Sequence, residues 1–178
     1  MKGIRETGLR ALLAAVACIV LAKGTAAETK LTDFNGEWSG TGQDRDSPLQ
    51  SLQDTSCRNA VRATAQRMRI EMTCERKSGV RKTVRMNVTL QGDQLTGRIN
   101  RRISQPGKED SVIGGMLSGT KSDSSANLTV SWKGPTPSTS INLKLETPTS
   151  YSMKVTALGL TFMDATFNRI SERAPRRR

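Results

Sequence analysis

Apolar and polar residues alternate along most of this chain, in short runs that are separated by turn residues. Met68, Ile70, Met72 and Cys74, for example, alternate with polar or charged residues before a Ser-Gly pair at 78–79. A period of two predicts strands that bury one face. Eight to ten such runs recur every 8–15 residues. This pattern predicts an all-β fold, a single small antiparallel β-barrel, with an open β-sandwich as the alternative.

Two segments follow the alternation less clearly. In residues 59–65, Val61 and Ala65 also have helical spacing with Met68 and Met72, so the segment fits either a strand or a helix. We favour a strand, because regular alternation continues directly after it. Residues 44–56 are mostly polar and are predicted to form a loop.

The chain begins with the three parts of a secretory signal peptide. Lys2, Arg5 and Arg10 come before a 12-residue apolar run at 11–22, and small residues follow at 25–27. A membrane-spanning helix needs about 20 residues, so this run is too short for a retained anchor. We therefore predict a signal peptide at 1–27, a barrel domain at 28–171 and a disordered basic tail at 172–178. The mature chain has no second long apolar run, which predicts a periplasmic or secreted protein without a transmembrane segment.

After signal removal only two cysteines are left, Cys57 and Cys74, and they enclose 16 residues. Disulfides form in exported proteins, and closing a loop of this length stabilises a fold by about 3 kcal/mol. A disulfide is therefore predicted; the wide spacing argues against the alternative, a redox-active pair. Zinc needs about four ligands, and two Cys without any His do not supply them. No metal or other cofactor is expected.

The absence of His excludes His-based catalytic triads, His metal sites and a His general base. No motif positions a carboxylate, Lys or Ser for catalysis. The sequence therefore predicts a protein that is not an enzyme.

The positive charge of the chain is concentrated in its middle. The formal net charge is +12, and residues 58–108 hold 13 Lys and Arg against three acids. Pairing of strands around the turn at 78–79 places Glu71 opposite Arg85 and Glu75 opposite Arg81. The next hairpin brings Arg98 and Arg102 to the same outer face, where they lack a carboxylate.

The outer arginines Arg81, Arg85, Arg98 and Arg102 are candidate anion-binding residues. The alternative is a solvated, ion-paired surface that protects the sheet from aggregation. A nucleic-acid partner is not expected, because no aromatic residues for base stacking are interleaved with the arginines.

The same pairing points Arg101 inward, opposite Val84. A buried arginine without a partner is costly, so Arg101 is predicted to lie at a barrel mouth or to hold an anion. The alternative is a bulge that turns it outward. Three methionines of inward parity are candidates for lining an apolar binding site, and otherwise fill the core: Met68, Met72 and Met86.

The first predicted strand carries the motif F-x-G-x-W-x-G-x-G at residues 34–42. Gly36 and Trp38 resemble the G-x-W start of calycin barrels, which include the lipocalins. In that superfamily an Arg of the last strand stacks on the Trp and closes one end of the barrel. The resemblance implies this role for Gly36, Trp38 and Arg169. The typical spacing of lipocalin disulfides is absent.

Two other resemblances concern the layout of the chain. Periplasmic inhibitors of metalloproteases also combine a signal peptide, a G-x-W strand, one disulfide and a small barrel. Small exported β-barrel proteins of alphaproteobacteria share the opening motif, a Cys pair and a glycine-rich later strand, here at 114–119. That likeness implies a cell-envelope location. We predict a non-catalytic binding protein of the cell envelope, whose ligand is apolar or anionic, such as a lipid or an envelope polymer. The alternative is a periplasmic inhibitor of a protease or another hydrolase.

Overall fold

A computed structural model describes residues 30–171 and shows a closed barrel of ten antiparallel strands. A 3₁₀ turn, Leu31–Phe34, comes before the first strand. The strands are β1 Gly36–Asp44, β2 Gln53–Ala63, β3 Arg67–Arg76, β4 Arg81–Gln91, β5 Gln94–Ser104, β6 Ser111–Lys121, β7 Ser125–Trp132, β8 Thr139–Thr147, β9 Ser150–Ala157 and β10 Leu160–Ser171. The predicted signal peptide and the predicted tail at 172–178 lie outside the described residues.

Each strand pairs with its neighbour in sequence, and β1 also pairs with β10, which closes the barrel at a radius of about 10 Å. The barrel prediction is confirmed and the open sandwich is excluded. Residues 59–63 belong to β2, so the strand assignment is correct for them. The predicted loop at 44–56 is too long, since Asp44 ends β1 and Gln53 begins β2. Pairing with β1 and β3 satisfies the backbone of this polar stretch, and tertiary context outweighs its composition.

The predicted register of the basic hairpins is confirmed. Met72 lies opposite Val84, and Val84 lies opposite Arg101. A shift of one residue would turn every buried side chain of a strand to solvent, so the apolar alternation holds this register in place.

One end of the barrel is closed by the 3₁₀ turn and Trp38. The indole is fully buried, and its Nε1 donates a hydrogen bond to the Phe34 carbonyl at 3.0 Å. The Arg169 guanidinium lies 4.6 Å from the Trp38 ring centroid and donates to the Asp33 carbonyl. Gly36 has a φ of +138°, and a Cβ there would lie 2.4 Å from the Ser171 carbonyl oxygen. The three residues therefore have the geometry that the calycin resemblance implies.

Tyr151 fills the space beneath this closure. Its ring stacks on Phe167 at 4.7 Å between centroids and meets the edge of Trp38 at 4.9 Å. Its hydroxyl accepts a hydrogen bond from the Asn59 side-chain amide. Burial raises the pKa of the Tyr151 phenol, which therefore stays neutral. Aromatic packing fills this end, so any space for a ligand lies toward the other end.

Cys57 and Cys74 form the predicted disulfide. They are directly opposed on β2 and β3, with their Cα atoms 4.0 Å apart, and both side chains are buried in the barrel. The bond thus links two strands that are already paired.

Reduction of this disulfide should destabilise the barrel by about 3 kcal/mol, because the unfolded chain regains the entropy of a 16-residue loop. Denaturant unfolding with and without a reductant measures the difference. A Cys57→Ala/Cys74→Ala variant is the control, and its unfolding should not respond to the reductant. Equal midpoints for the oxidised and reduced wild type would contradict the prediction.

Replacing Arg169 by Gln should cost about 1–3 kcal/mol of unfolding free energy, because the contact with Trp38 and the hydrogen bond to Asp33 are lost together. Ile170→Ala is the matched control. Its side chain is exposed on the same strand, and we expect a change within about 0.5 kcal/mol. Equal losses of stability for Arg169→Gln and Ile170→Ala in thermal unfolding would show that Arg169 does not stabilise the closed end of the barrel.

Candidate functional site

The open end of the barrel holds a cavity of about 210 Å³. Cavities of about 150 Å³ with apolar walls already admit a benzene-sized molecule. The inward positions of β3, β4, β5, β8, β9 and β10 supply most of the wall. Its apolar residues include Met72, Val84, Met86, Ile99, Ile141, Met153, Val155 and Met163. The cavity is therefore able to hold one small apolar group.

The three candidate methionines do not share one place. Met72 and Met86 line the cavity. Met68 is buried in the core and does not line it, because it lies near the start of β3, toward the closed end. Met153 and Met163 line the cavity without having been singled out from the sequence. Their inward parity in β9 and β10 is the signal that would have found them.

Arg101 points into the cavity from β5, as its parity predicts. Pairing between β4 and β5 is continuous, so the alternative of an outward bulge is wrong. The guanidinium lies 4.9 Å from the centroid of the Trp132 ring. Its Nε is buried and has no hydrogen-bond partner among residues 30–171. An inward cation thus carries a donor that the described part of the chain does not satisfy.

The Trp132 ring packs against the Arg101 guanidinium at the cavity wall. Its indole Nε1 donates to Thr139 Oγ1 at 2.8 Å, which orients the ring. Gly115 lies opposite Trp132 on β6, where a Cβ would come within 3.2 Å of the ring. The lack of a side chain at 115 leaves room for the indole.

A cluster of four charged residues lies beside Arg101 at the mouth. Arg76 Nε is 2.5 Å from Asp44 Oδ1, and Arg76 Nη1 is 2.7 Å from Asp46 Oδ2. Lys82 Nζ is 2.5 Å from Asp44 Oδ2 and 2.6 Å from Asp46 Oδ1. Sequence reasoning missed this cluster, since it placed both aspartates in a loop. The signal was present for Asp44, which continues the inward parity of Trp38.

The cluster shifts the pKa values of Asp46 and Arg76. Burial alone would raise the pKa of Asp46, but hydrogen bonds and charge from Lys82 and Arg76 outweigh it and hold that pKa below its usual value. Burial alone would lower the pKa of Arg76, and its bonds to Asp44 and Asp46 raise it instead. Asp46 is therefore a carboxylate at neutral pH, and both aspartates are already paired with two cations.

The mouth of the cavity carries more positive than negative charge. Burial lowers the pKa of Arg101, and the Asp46 charge opposes this effect; an arginine nevertheless stays charged in proteins. Arg45 also lines the cavity and has a buried Nε without a hydrogen-bond partner in the described chain. Arg76 and Lys82 balance the two aspartates, so Arg45 and Arg101 leave a surplus of two positive charges. This surplus favours an anion.

The other four candidate arginines lie outside the barrel, away from Arg101. Arg81, Arg85, Arg98 and Arg102 are exposed on the outer face of β4 and β5, as the register predicts. Arg81 lies 2.7 Å from Glu75, and Arg85 lies 3.9 Å from Glu71.

Arg102 corrects one expectation. It was predicted to lack a carboxylate, but its Nε lies 3.5 Å from Asp110 Oδ2. Asp110 ends the loop between β5 and β6, and the pairing of these strands places it diagonally from Arg102, two residues before Val112. Arg98 makes no ion pair in the structurally described part of the chain.

Residues 30–171 contain no group of three or more His, Cys, Asp or Glu side chains that could hold a metal ion. Nor does any helix in this range have the length and apolar character to cross a membrane.

Asp46→Asn should lower the free energy of unfolding by about 1–3 kcal/mol at neutral pH, because two buried cations lose a carboxylate. The pKa of Asp46 is depressed on folding, so the stability that Asp46 contributes is present above the usual aspartate pKa of 3.8 and is lost as the pH falls through the folded pKa. The gap between wild type and variant should therefore shrink below about pH 4.

Denaturant unfolding across pH measures this gap. Asp164→Asn, on the exposed outer face of β10, is the control and should change stability by no more than about 0.5 kcal/mol. A gap for Asp46→Asn that stays constant down to about pH 2 would contradict the assignment.

Comparisons with known proteins do not assign this chain to a family. The sequence matches no family model, and no curated protein resembles it closely enough to count as a relative. The cavity and its charges therefore carry the functional argument.

Proposed function

We propose that this barrel is a non-catalytic binding protein of the cell envelope that holds a small amphipathic anion. The apolar part of the ligand occupies the cavity, and its anionic group contacts Arg101. The observation that carries this proposal is the buried Nε of Arg101, which has no hydrogen-bond partner within residues 30–171 and lies at a cavity whose wall is apolar apart from the charged residues at its mouth.

The cavity wall supports the apolar half of the proposal. Methionine side chains are flexible and polarisable, and they adapt to apolar ligands of different shapes. Met72, Met86, Met153 and Met163 all line the cavity. A short or medium acyl chain matches both this lining and a volume of about 210 Å³.

The mouth supports the anionic half. A hydrogen bond between an arginine and an anion is worth about 1.5–3 kcal/mol, more than one between neutral groups. Arg101 is held against Trp132 before any ligand arrives, so little side-chain entropy is lost on binding. Both carboxylates of the cavity wall are already ion-paired, which leaves neither free to act as a general base.

The cysteines and the resemblance support the proposed location. The buried Cys57–Cys74 disulfide is typical of oxidising compartments, which supports a periplasmic or secreted protein. The closure by Gly36, Trp38 and Arg169 supports a calycin-like barrel, a class in which the open end admits ligands. In the proposed cell-envelope location, the matching ligands are lipid-like molecules that have an acyl chain and an anionic group.

Binding of decanoate and of decanol to the purified protein tests the proposal, because the two probes share a chain and differ in the charged group. We expect decanoate to bind more tightly. Arg101→Met should weaken decanoate binding about tenfold or more and leave decanol binding nearly unchanged. Isothermal titration calorimetry measures both.

Arg85→Gln is the matched control, since this arginine is on the adjacent strand and points outward. It should bind decanoate as the wild type does. Equal affinity of the wild type for the two probes, or full decanoate binding by Arg101→Met, would refute a role of Arg101 in holding the anionic group. Binding of neither probe would refute the proposed ligand class.

A further inference from the structure

The outer surface of the barrel is divided by charge. The outward positions of β2–β5 hold eight arginines, no lysine and three acids. The outward positions of β1 and β6–β10 hold two lysines and three acids. We call the first group the arginine face; its members are all exposed: Arg58, Arg62, Arg67, Arg69, Arg81, Arg85, Arg98 and Arg102.

The register places three of these arginines in one row across the strands. Arg62 is directly opposite Arg69, Arg69 is opposite Asn87, and Asn87 is opposite Arg98. Neighbouring strands are about 4.8 Å apart, so the row covers roughly 15 Å. Like charges that are directly opposed destabilise a sheet, and nothing in the fold requires two arginines at this pair.

The carboxylates of the face leave much of it uncompensated. Glu71 lies 2.6 Å from Arg69, and Glu75 is paired with Arg81. Within residues 30–171, Arg58, Arg62, Arg67 and Arg98 make no ion pair. Two of these four arginines, Arg62 and Arg98, lie in the row itself, and none of the four has a carboxylate partner in the described part of the chain.

The choice of arginine points to a ligand chemistry. A solvated surface that only prevents aggregation is served equally well by lysine, yet lysine is absent from these positions. The planar guanidinium binds carboxylate, sulfate or phosphate groups through two parallel hydrogen bonds, whereas lysine acts as a point charge. Repeated guanidinium groups in a row match repeated anionic groups along a chain.

We propose that the arginine face binds a linear polyanion, specifically an acidic polysaccharide, along the row from Arg62 to Arg98. This site is on the outside of the barrel and is independent of the ligand proposed for the cavity.

Shape favours a flexible chain over a bilayer. The face covers four of ten strands in a barrel of about 10 Å radius, so it curves around two fifths of the circumference. A flat membrane touches only part of such a surface, whereas a polymer is able to follow it. The outward positions of β2–β5 also carry no apolar side chain larger than Ala60, so none is available to insert into lipid.

Composition favours a polysaccharide over single-stranded nucleic acid. Proteins that bind single strands stack the bases on aromatic side chains. All six aromatic residues of this chain lie elsewhere: Phe34, Trp38, Tyr151 and Phe167 are in the core, and Trp132 and Phe162 line the cavity.

A pair of charge-matched variants tests the proposal. Arg62→Gln/Arg98→Gln removes two charges from the arginine face, and Lys144→Gln/Lys154→Gln removes two from the opposite wall. Titration with polygalacturonate and with heparin, with neutral dextran as the blank, measures binding between about 0.05 M and 0.5 M salt. We expect the arginine double variant to bind about tenfold or more weakly and with a smaller salt dependence. The lysine double variant should bind as the wild type does.

Stability and cavity binding separate this result from misfolding. The arginine double variant should melt at the same temperature as the wild type or higher, because it removes an opposed pair of like charges. It should also bind decanoate normally, so that the arginine-face proposal and the cavity proposal are tested independently. Equal weakening in both double variants would show that only net charge matters. Tighter binding to anionic phospholipid vesicles or duplex DNA than to either polysaccharide would overturn the proposed partner, as would no polysaccharide binding at low salt.

Discussion

The pairing of β1 with both β2 and β10 is the constraint on which the rest of this structure depends. It removes the exposed edges that an open sheet would leave, and it gives every strand an inside and an outside. A chain with only six aromatic residues has few large apolar side chains with which to fill a core. Closure makes them sufficient, because all inward side chains face the same enclosed volume.

The interior of the barrel is packed differently at its two ends. At one end Trp38, Tyr151 and Phe167 pack in mutual contact, and Arg169 covers the indole. At the other end the wall changes to methionine and aliphatic residues, which leaves a cavity. A barrel filled with aromatic residues at both ends would have no room for a ligand. The aromatic packing thus lies at one end of the barrel axis and the cavity at the other.

Strand alternation also divides the charges of β5. Arg101 and Arg102 are adjacent in sequence, yet one lies in the cavity beside Trp132 and the other is exposed beside Asp110. The inward arginine has a buried Nε without a hydrogen-bond partner in the described chain, which is the basis of the proposed cavity site. The outward one belongs to the arginine face, which is the basis of the proposed polysaccharide site. One strand therefore contributes to both proposals.

The sequence by itself determined the strand pattern, the disulfide pair and the register that points Arg101 inward, since each follows from a period of two or from a single possible pairing. It did not reveal the cluster of Asp44, Asp46, Arg76 and Lys82, nor the contact from Asp110 to Arg102. Those residues are distant in the chain or lie in loops, where no periodicity constrains them. Only the curvature of the sheet brings inward side chains of β1, β3 and β4 together at the mouth, although β2 lies between β1 and β3, and so only the tertiary structure decided where the buried charges meet.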